Sequence, residues 1–156
     1  MLLLTALYFM SFSATGETLN GKVVAVPDAN TIIVLDNDYL RQKVTLKSVH
    51  MPKGKAVLAG IAQQFLWTLL HGKPVRVEWQ SWDKYGRRVG RIFLEDKDVA
   101  LVFLREGFAR VNTSRSTQDN SVDLESYLLA EQEARGQGLG VWRESILMRG
   151  REANPQ

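Results

Sequence analysis

A chain of 156 residues is most simply one domain, long enough to bury roughly two-thirds of the surface that its unfolded form exposes. Hydrophobic residues at 45% and charged residues at 24% argue against wholesale disorder, and the absence of cysteine excludes disulfides and thiolate metal sites while leaving the redox compartment open. Lys and Arg outnumber Asp and Glu by 20 to 17 and the sequence pI is about 9.3, a mildly basic balance that suits a polyanion partner and equally a merely soluble surface.

The N-terminus carries an apolar run from Leu2 to Met10, too short for a bilayer span, which needs about 20 residues. Small residues follow, and Ala14-Thr15-Gly16 fits a small-x-small cleavage pattern, so residues 1–16 are expected to be a signal peptide or hydrophobic leader. On that reading the protein is exported, periplasmic or secreted, with no stable membrane span. No Lys or Arg precedes the run, and a buried first strand in a cytoplasmic protein is the alternative. The folded domain is expected over 17–143, with a polar tail over 144–156.

GKVVAVPD and TIIVLDND are short β-branched runs, separated by Asp28-Ala29-Asn30 and closed by the turn signal Asp36-Asn37-Asp38. YLRQKVTLKSV alternates, with Leu40, Val44, Leu46 and Val49 mostly on the apolar side. The period then changes. In AVLAGIAQQFLWTLLHGK, Val57, Leu58, Ile61, Phe65 and Leu69 recur every three or four residues, which predicts an amphipathic helix stopping at His71-Gly72. PVRVEWQSW and RRVGRIFLE read as strands joined by the tight turn Asp83-Lys84-Tyr85-Gly86, and VALVFLREG as a short helix with Gly107 past its end. NTSRSTQDNS reads as a loop. Asp123 or Ser121 can cap a last helix whose apolar face includes Leu124, Leu128 and Ala134 before GQGLG ends it.

Three strands, a helix, two strands and further helices is the order of an α+β, mainly β architecture: a five-stranded OB-fold-type barrel with three helices. Trp67 and Trp142 are expected in the core and His71 at the surface. Trp79 and Trp82, near a strand end, are expected to pack the barrel or its rim, with base stacking as the alternative. Arg87, Arg88 and Arg91 read as a solvated strand face, in which Arg87 stands out by its motif.

GKVVAVPDANT, VTLKSVHMP, DKYGR, LVFLREGFA and the helix ending in GQGLGVW, in this order from Gly21 to about Trp142, resemble the staphylococcal-nuclease-like (thermonuclease) family. The resemblance implies the barrel-plus-three-helices fold and a chemistry of metal-assisted phosphodiester hydrolysis. In that chemistry a hard cation, usually calcium, is held by carboxylates, two arginines offset charge on phosphorus and a glutamate activates water. Carried onto this chain, Asp28 and Thr31 match the family's opening turn and Arg87 matches its second phosphate arginine. The metal aspartates fall on Asn30 and His50, the first phosphate arginine on Thr45 and the water-activating glutamate on Lys53. Lys43 lies on the same strand face as Thr45 and can partly stand in as a phosphate cation, without the fork of arginine.

The implied metal set is therefore Asp28, Asn30 and His50, with one carboxylate among them, and no cofactor is expected. The implied phosphate contacts are Arg87, Lys43 and Lys53. Three functions follow as alternatives. The first is a nuclease-like domain impaired in hydrolysis that retains at most binding of DNA, RNA or another polyanion. The second is an active calcium- or other divalent-dependent endonuclease with a remodelled site, and the third is a protein-interaction scaffold. A monomer is the default state.

Overall fold

The computed structural model describes residues 16–51, 55–113 and 123–143. The leader, Lys53, most of the NTSRSTQDNS segment and the tail lie outside the described residues. The elements are β1 (Glu17–Asp28), β2 (Thr31–Asp36), β3 (Arg41–Leu46), β4 (Val49–His50), α1 (Ala56–Leu70), β5 (Pro74–Trp82) and β6 (Arg88–Leu94). They continue with β7 (Lys97–Asp98), α2 (Val99–Arg105), β8 (Arg110–Val111), α3 (Asp123–Gly136) and a 3-10 turn (Gly140–Trp142). Among the described residues no helix is long and apolar enough to cross a membrane.

The strands run in the order β3-β2-β1-β5-β6-β7, and a parallel pairing of β3 with β6 closes the first five into a barrel. Closure removes the exposed edges that five short strands would otherwise leave. β1 serves both halves, pairing with β2 through Asp28↔Thr31 and with β5 through Glu17↔Trp79, and it does so over two register irregularities that let it bend. The five-stranded barrel with three helices is as the sequence pattern predicts. The two-residue strands β4, β7 and β8 are too short for a periodic signal and were not foreseen.

Alternation along the strands sends Val23, Ile32, Val34, Val44, Val77 and Ile92 inward, where α1 and α2 cover them with Leu66, Leu70, Phe103 and Leu104. Phe65, Phe103 and Phe108 form a cluster of tilted and edge-on rings between the two helices, with centroids 5.0–5.8 Å apart. Asp98 caps α2 by accepting from Ala100 N at 2.9 Å. The same carboxylate accepts from the Tyr127 hydroxyl at 2.5 Å, which fastens α3 to the start of α2. Burial, and then the adjacent Asp98 charge, push the Tyr127 pKa up, so the hydroxyl remains a donor.

Four expectations about burial are corrected, in whole or in part. In α1 the fully buried stripe is Ala62, Leu66 and Leu70; of the expected face, Leu58, Phe65 and Leu69 are partly buried against the core, while Val57 is 81% exposed and Ile61 is also exposed. The helix is apolar on two adjacent stripes, so periodicity alone does not choose between them. A polar contact sits with the observed orientation: Gln63 Nε2 donates to Val26 O at 2.9 Å and to Pro27 O at 3.0 Å, tying α1 to the end of β1. Trp67, expected in the core, is 45% exposed and stacks on His71 at 4.7 Å. In α3 the buried residues are Tyr127, Ala130 and Ala134, and Leu128 faces solvent. Leu40 is also exposed, because it lies in the turn before β3 rather than in the strand. Trp142 is buried as expected.

The α1 orientation has a direct test in urea unfolding. Leu66→Ala should cost about 2–5 kcal/mol, whereas Val57→Ala should stay within about 0.5 kcal/mol of the parent. Equal costs would restore the face that periodicity suggests.

Candidate functional site

The turn after β1 places Asp28 and Asn30, and the hairpin between β5 and β6 places Arg87. Asp28 Oδ1 accepts from Asn30 N at 3.0 Å, an Asx-type turn that fixes both side chains. Thr31 opens β2 opposite Thr45 of β3, and both are buried on the outer side of the barrel wall. The Thr45 hydroxyl donates to Asn30 O at 3.2 Å, and Leu46 N donates to the same carbonyl at 2.9 Å. The carbonyl of the turn is thus fully engaged, which pins β3 beneath it.

Arg87 reaches across this surface. Its Nε donates to Asp83 Oδ2 at 2.7 Å, its Nη1 donates to Thr31 Oγ1 at 2.9 Å, and Nη1 lies 3.9 Å from Asp28 Oδ2. Asp83 also accepts from the backbone of Tyr85 at 2.9 Å and of Arg87 at 3.0 Å. Burial is the largest influence on Asp83 and pushes its pKa up. The Arg87 amide and guanidinium with the Tyr85 amide outweigh it and hold the carboxyl below the ordinary value. Gly86, at φ +70°, lets the turn close so that these donors converge. Arg87 is 23% exposed and positioned on two sides, and among the described residues its Nη2 makes no hydrogen bond. That edge can donate to a phosphate oxygen without the side chain having to reorganise.

The sequence-predicted residues divide accordingly. Asp28, Asn30, Thr31, Thr45 and Arg87 come together. Lys43 is exposed, two residues from Thr45 on the same strand face. His50 is exposed on β4, a separate two-stranded sheet in which it pairs with Arg110 of β8. The chain enters β4 through Ser48 at φ +63°, a left-handed conformation that is costly for a residue other than glycine. Among the described residues no side-chain hydrogen bond joins His50 to Asp28, Asn30 or Arg87. Lys53 lies outside them.

A profile of the staphylococcal nuclease homologue family matches residues 43–144. The chain belongs to the staphylococcal nuclease family. A protein named uncharacterized endonuclease from Escherichia coli O157:H7 is 28% identical over 142 residues, which cover 89% of this chain and 87% of that protein. Probable endonuclease LCL3 of Phaeosphaeria nodorum is 28% identical over 103 residues, 64% of this chain but 35% of the fungal protein. Endonuclease YncB of Bacillus subtilis is 35% identical over 63 residues, 40% of this chain and 29% of that protein.

The family's calcium chemistry calls for several carboxylate oxygens, and the described residues here do not supply them. Among the described residues no group of three or more His, Asp or Glu side chains could hold a metal ion. Asp28 faces the Arg87 guanidinium, and the Asn30 Oδ1 accepts from Thr31 Oγ1 at 3.2 Å. A dication here would meet one carboxylate already facing a cation. No catalytic step through a metal is derived from this arrangement.

Sequence reasoning missed Asp83 as the partner of Arg87. The signal was present as the spacing of four across a glycine turn. The solvated face expected for the arginine run is also corrected: Arg91 donates to Asp98 at 3.1 Å, and Arg88 packs its guanidinium against the rings of both Trp79 and Trp82. Nor is the site as one-sidedly basic as its sequence suggests, because Asp83 and Asp28 both face Arg87.

Asp83→Ala should lower stability by about 2 kcal/mol at neutral pH, from the loss of charge-assisted hydrogen bonds. Folding depresses this pKa, so the contribution is complete above the unfolded-state value and disappears as pH falls through the folded-state value. Urea unfolding at stepped pH should therefore show the gap between parent and variant closing in acid.

Proposed function

We propose that this family member binds nucleic acid through the Arg87 end of its barrel and is impaired in metal-dependent phosphodiester hydrolysis. The observation that carries this reading is the contrast within one site. The phosphate arginine is retained and held in place by Asp83 and Thr31, while the neighbouring metal positions present the amide Asn30 and the exposed imidazole His50. Loss of one principal acid–base group typically lowers rate by about 10²–10⁴, and here the glutamate position is Lys53 and the arginine position Thr45 as well. The basic balance of the whole chain, 20 Lys and Arg against 17 Asp and Glu, favours a phosphate backbone over a neutral partner.

The names of the relatives favour a second reading, an active divalent-dependent endonuclease that uses Asp28, Asn30, His50 and Arg87. One set of incubations separates the two. The protein is mixed with single- and double-stranded DNA and RNA in calcium, magnesium or chelator, and cleavage and retention are scored together. The proposal expects retention that chelator does not alter, that falls steeply between low and moderate salt, and that weakens on Arg87→Ala. Chelator-sensitive cleavage above that of the Arg87→Ala variant would establish the second reading instead. The combined changes Asn30→Asp, Thr45→Arg, His50→Asp and Lys53→Glu should install metal-dependent cleavage if the barrel itself remains competent.

A further inference from the structure

β5 ends in two tryptophans with different fates. Trp79 is 9% exposed and belongs to the core, whereas Trp82, three residues on, is 54% exposed. A register shift between Trp79 and Ser81 separates them, and it leaves the two rings edge to face with centroids 5.2 Å apart. Arg88, the cross-strand partner of Trp82, lays its guanidinium 4.3 Å from the Trp82 ring centre and 4.7 Å from that of Trp79. The exposed indole is therefore held by a ring on one side and a cation on another.

Arg88 is also unusual among its neighbours. Arg76 pairs with Glu78, Arg87 with Asp83 and Arg91 with Asp98. Arg88 has no carboxylate within ion-pair distance among the described residues. It donates to Gln42 Oε1, and Gln42 in turn donates to Asp36 at 2.6 Å. Its Nε is buried without a hydrogen-bond partner. A cation with no direct counter-charge has been placed beneath an exposed aromatic plane.

We propose that Trp82, backed by Arg88, is a stacking site for an unpaired nucleobase, a contact that duplex cannot make. The inference rests on the nucleic-acid reading above and names the form of the ligand. A planar, polarizable base attached to a phosphate matches both halves of the feature, since the indole offers a π-face and Arg88 an unneutralised charge. A base inside a duplex has both faces occupied by its neighbours and cannot use the indole. Two contacts already restrain the Trp82 ring, so little side-chain freedom remains to be lost on binding. The location is also suitable. Asp83 and Arg87 follow Trp82 and precede Arg88 in the same hairpin, with Asp83 N donating to Arg87 O at 2.9 Å.

The test measures binding of fluorescently labelled oligo(dT), and of a duplex of the same length, at low salt. The proteins compared are the parent, Trp82→Ala, Trp82→Phe and Arg87→Ala. Trp82→Ala should weaken oligo(dT) roughly tenfold and leave duplex affinity unmoved, while Trp82→Phe retains most of the oligo(dT) affinity. Arg87→Ala should weaken both ligands. Unchanged oligo(dT) affinity in Trp82→Ala, or a parallel loss of both ligands, would overturn the stacking site and leave the proposed function standing. Absence of binding to either ligand by parent protein of native circular dichroism would overturn the proposed function, and the stacking site with it.

Discussion

The short parallel pairing of β3 with β6 governs the arrangement of everything functional in this molecule. Val44↔Arg88, Thr45↔Val89 and Leu46↔Gly90 are all the ladder there is between these strands, yet they turn an open sheet into a barrel. Strands from distant parts of the chain thereby become neighbours. The β1–β2 turn sits over Thr45 through the Asn30 carbonyl, and Arg87, just ahead of β6, reaches Thr31. Without closure, Arg87 would belong to a hairpin and Asp28 to a separate turn. Parallel contacts of this kind are long-range in sequence and are bought late in folding, because loop-closure entropy precedes them. The hydrophobic interior compensates by filling the barrel from all five strands.

Much of this was legible in the residues, and the reason differs from place to place. The strand PVRVEWQSW has the bounds that its composition suggests, and DKYGR forms the glycine turn that its spacing requires. Both are local signals. The face of α1 was not legible, because Leu58, Ile61, Ala62, Phe65, Leu66, Leu69 and Leu70 make more than one stripe apolar and tertiary contacts decide which is buried. Trp67 failed for a related cause: a large aromatic on an amphipathic helix reads as core, yet this one caps the helix end by stacking on His71. The arginines failed for another reason. Nothing in a run of like charges tells which member meets a carboxylate, which meets an indole and which does both. Only the register of β5 with β6 assigns Arg88 to Trp82 and Arg91 to Glu78.

Among the described residues, the Arg87 guanidinium keeps its position without any metal ligand around it. In the family's mechanism, arginine and metal share the work of neutralising a phosphorane. Here the guanidinium is held by Asp83 at the back and by Thr31 at the tip, a scaffold built from the hairpin and the barrel wall rather than from metal ligands. Residue 30 touches this scaffold only through the Thr31 hydroxyl, which donates to Asn30 Oδ1, and among the described residues no side-chain hydrogen bond joins the scaffold to His50. On the proposed reading, binding and hydrolysis depend on separable sets of groups, and one set can alter while the other stays in place.

The joint between Gly107 and Gly140 carries a different lesson. Val141 N donates to Gly107 O at 2.9 Å, and a Cβ at Gly140 would stand 2.1 Å from that oxygen. Main chain rests directly on main chain, so the end of α2 and the 3-10 turn after α3 are spliced with no side chain between them. The splice makes the last helix an integral part of the barrel's mechanical unit rather than an appended arm. In any tandem or fused arrangement of this domain, a linker has to begin beyond Trp142, since cutting earlier would strand the Gly107 carbonyl and uncover the packed face of α3.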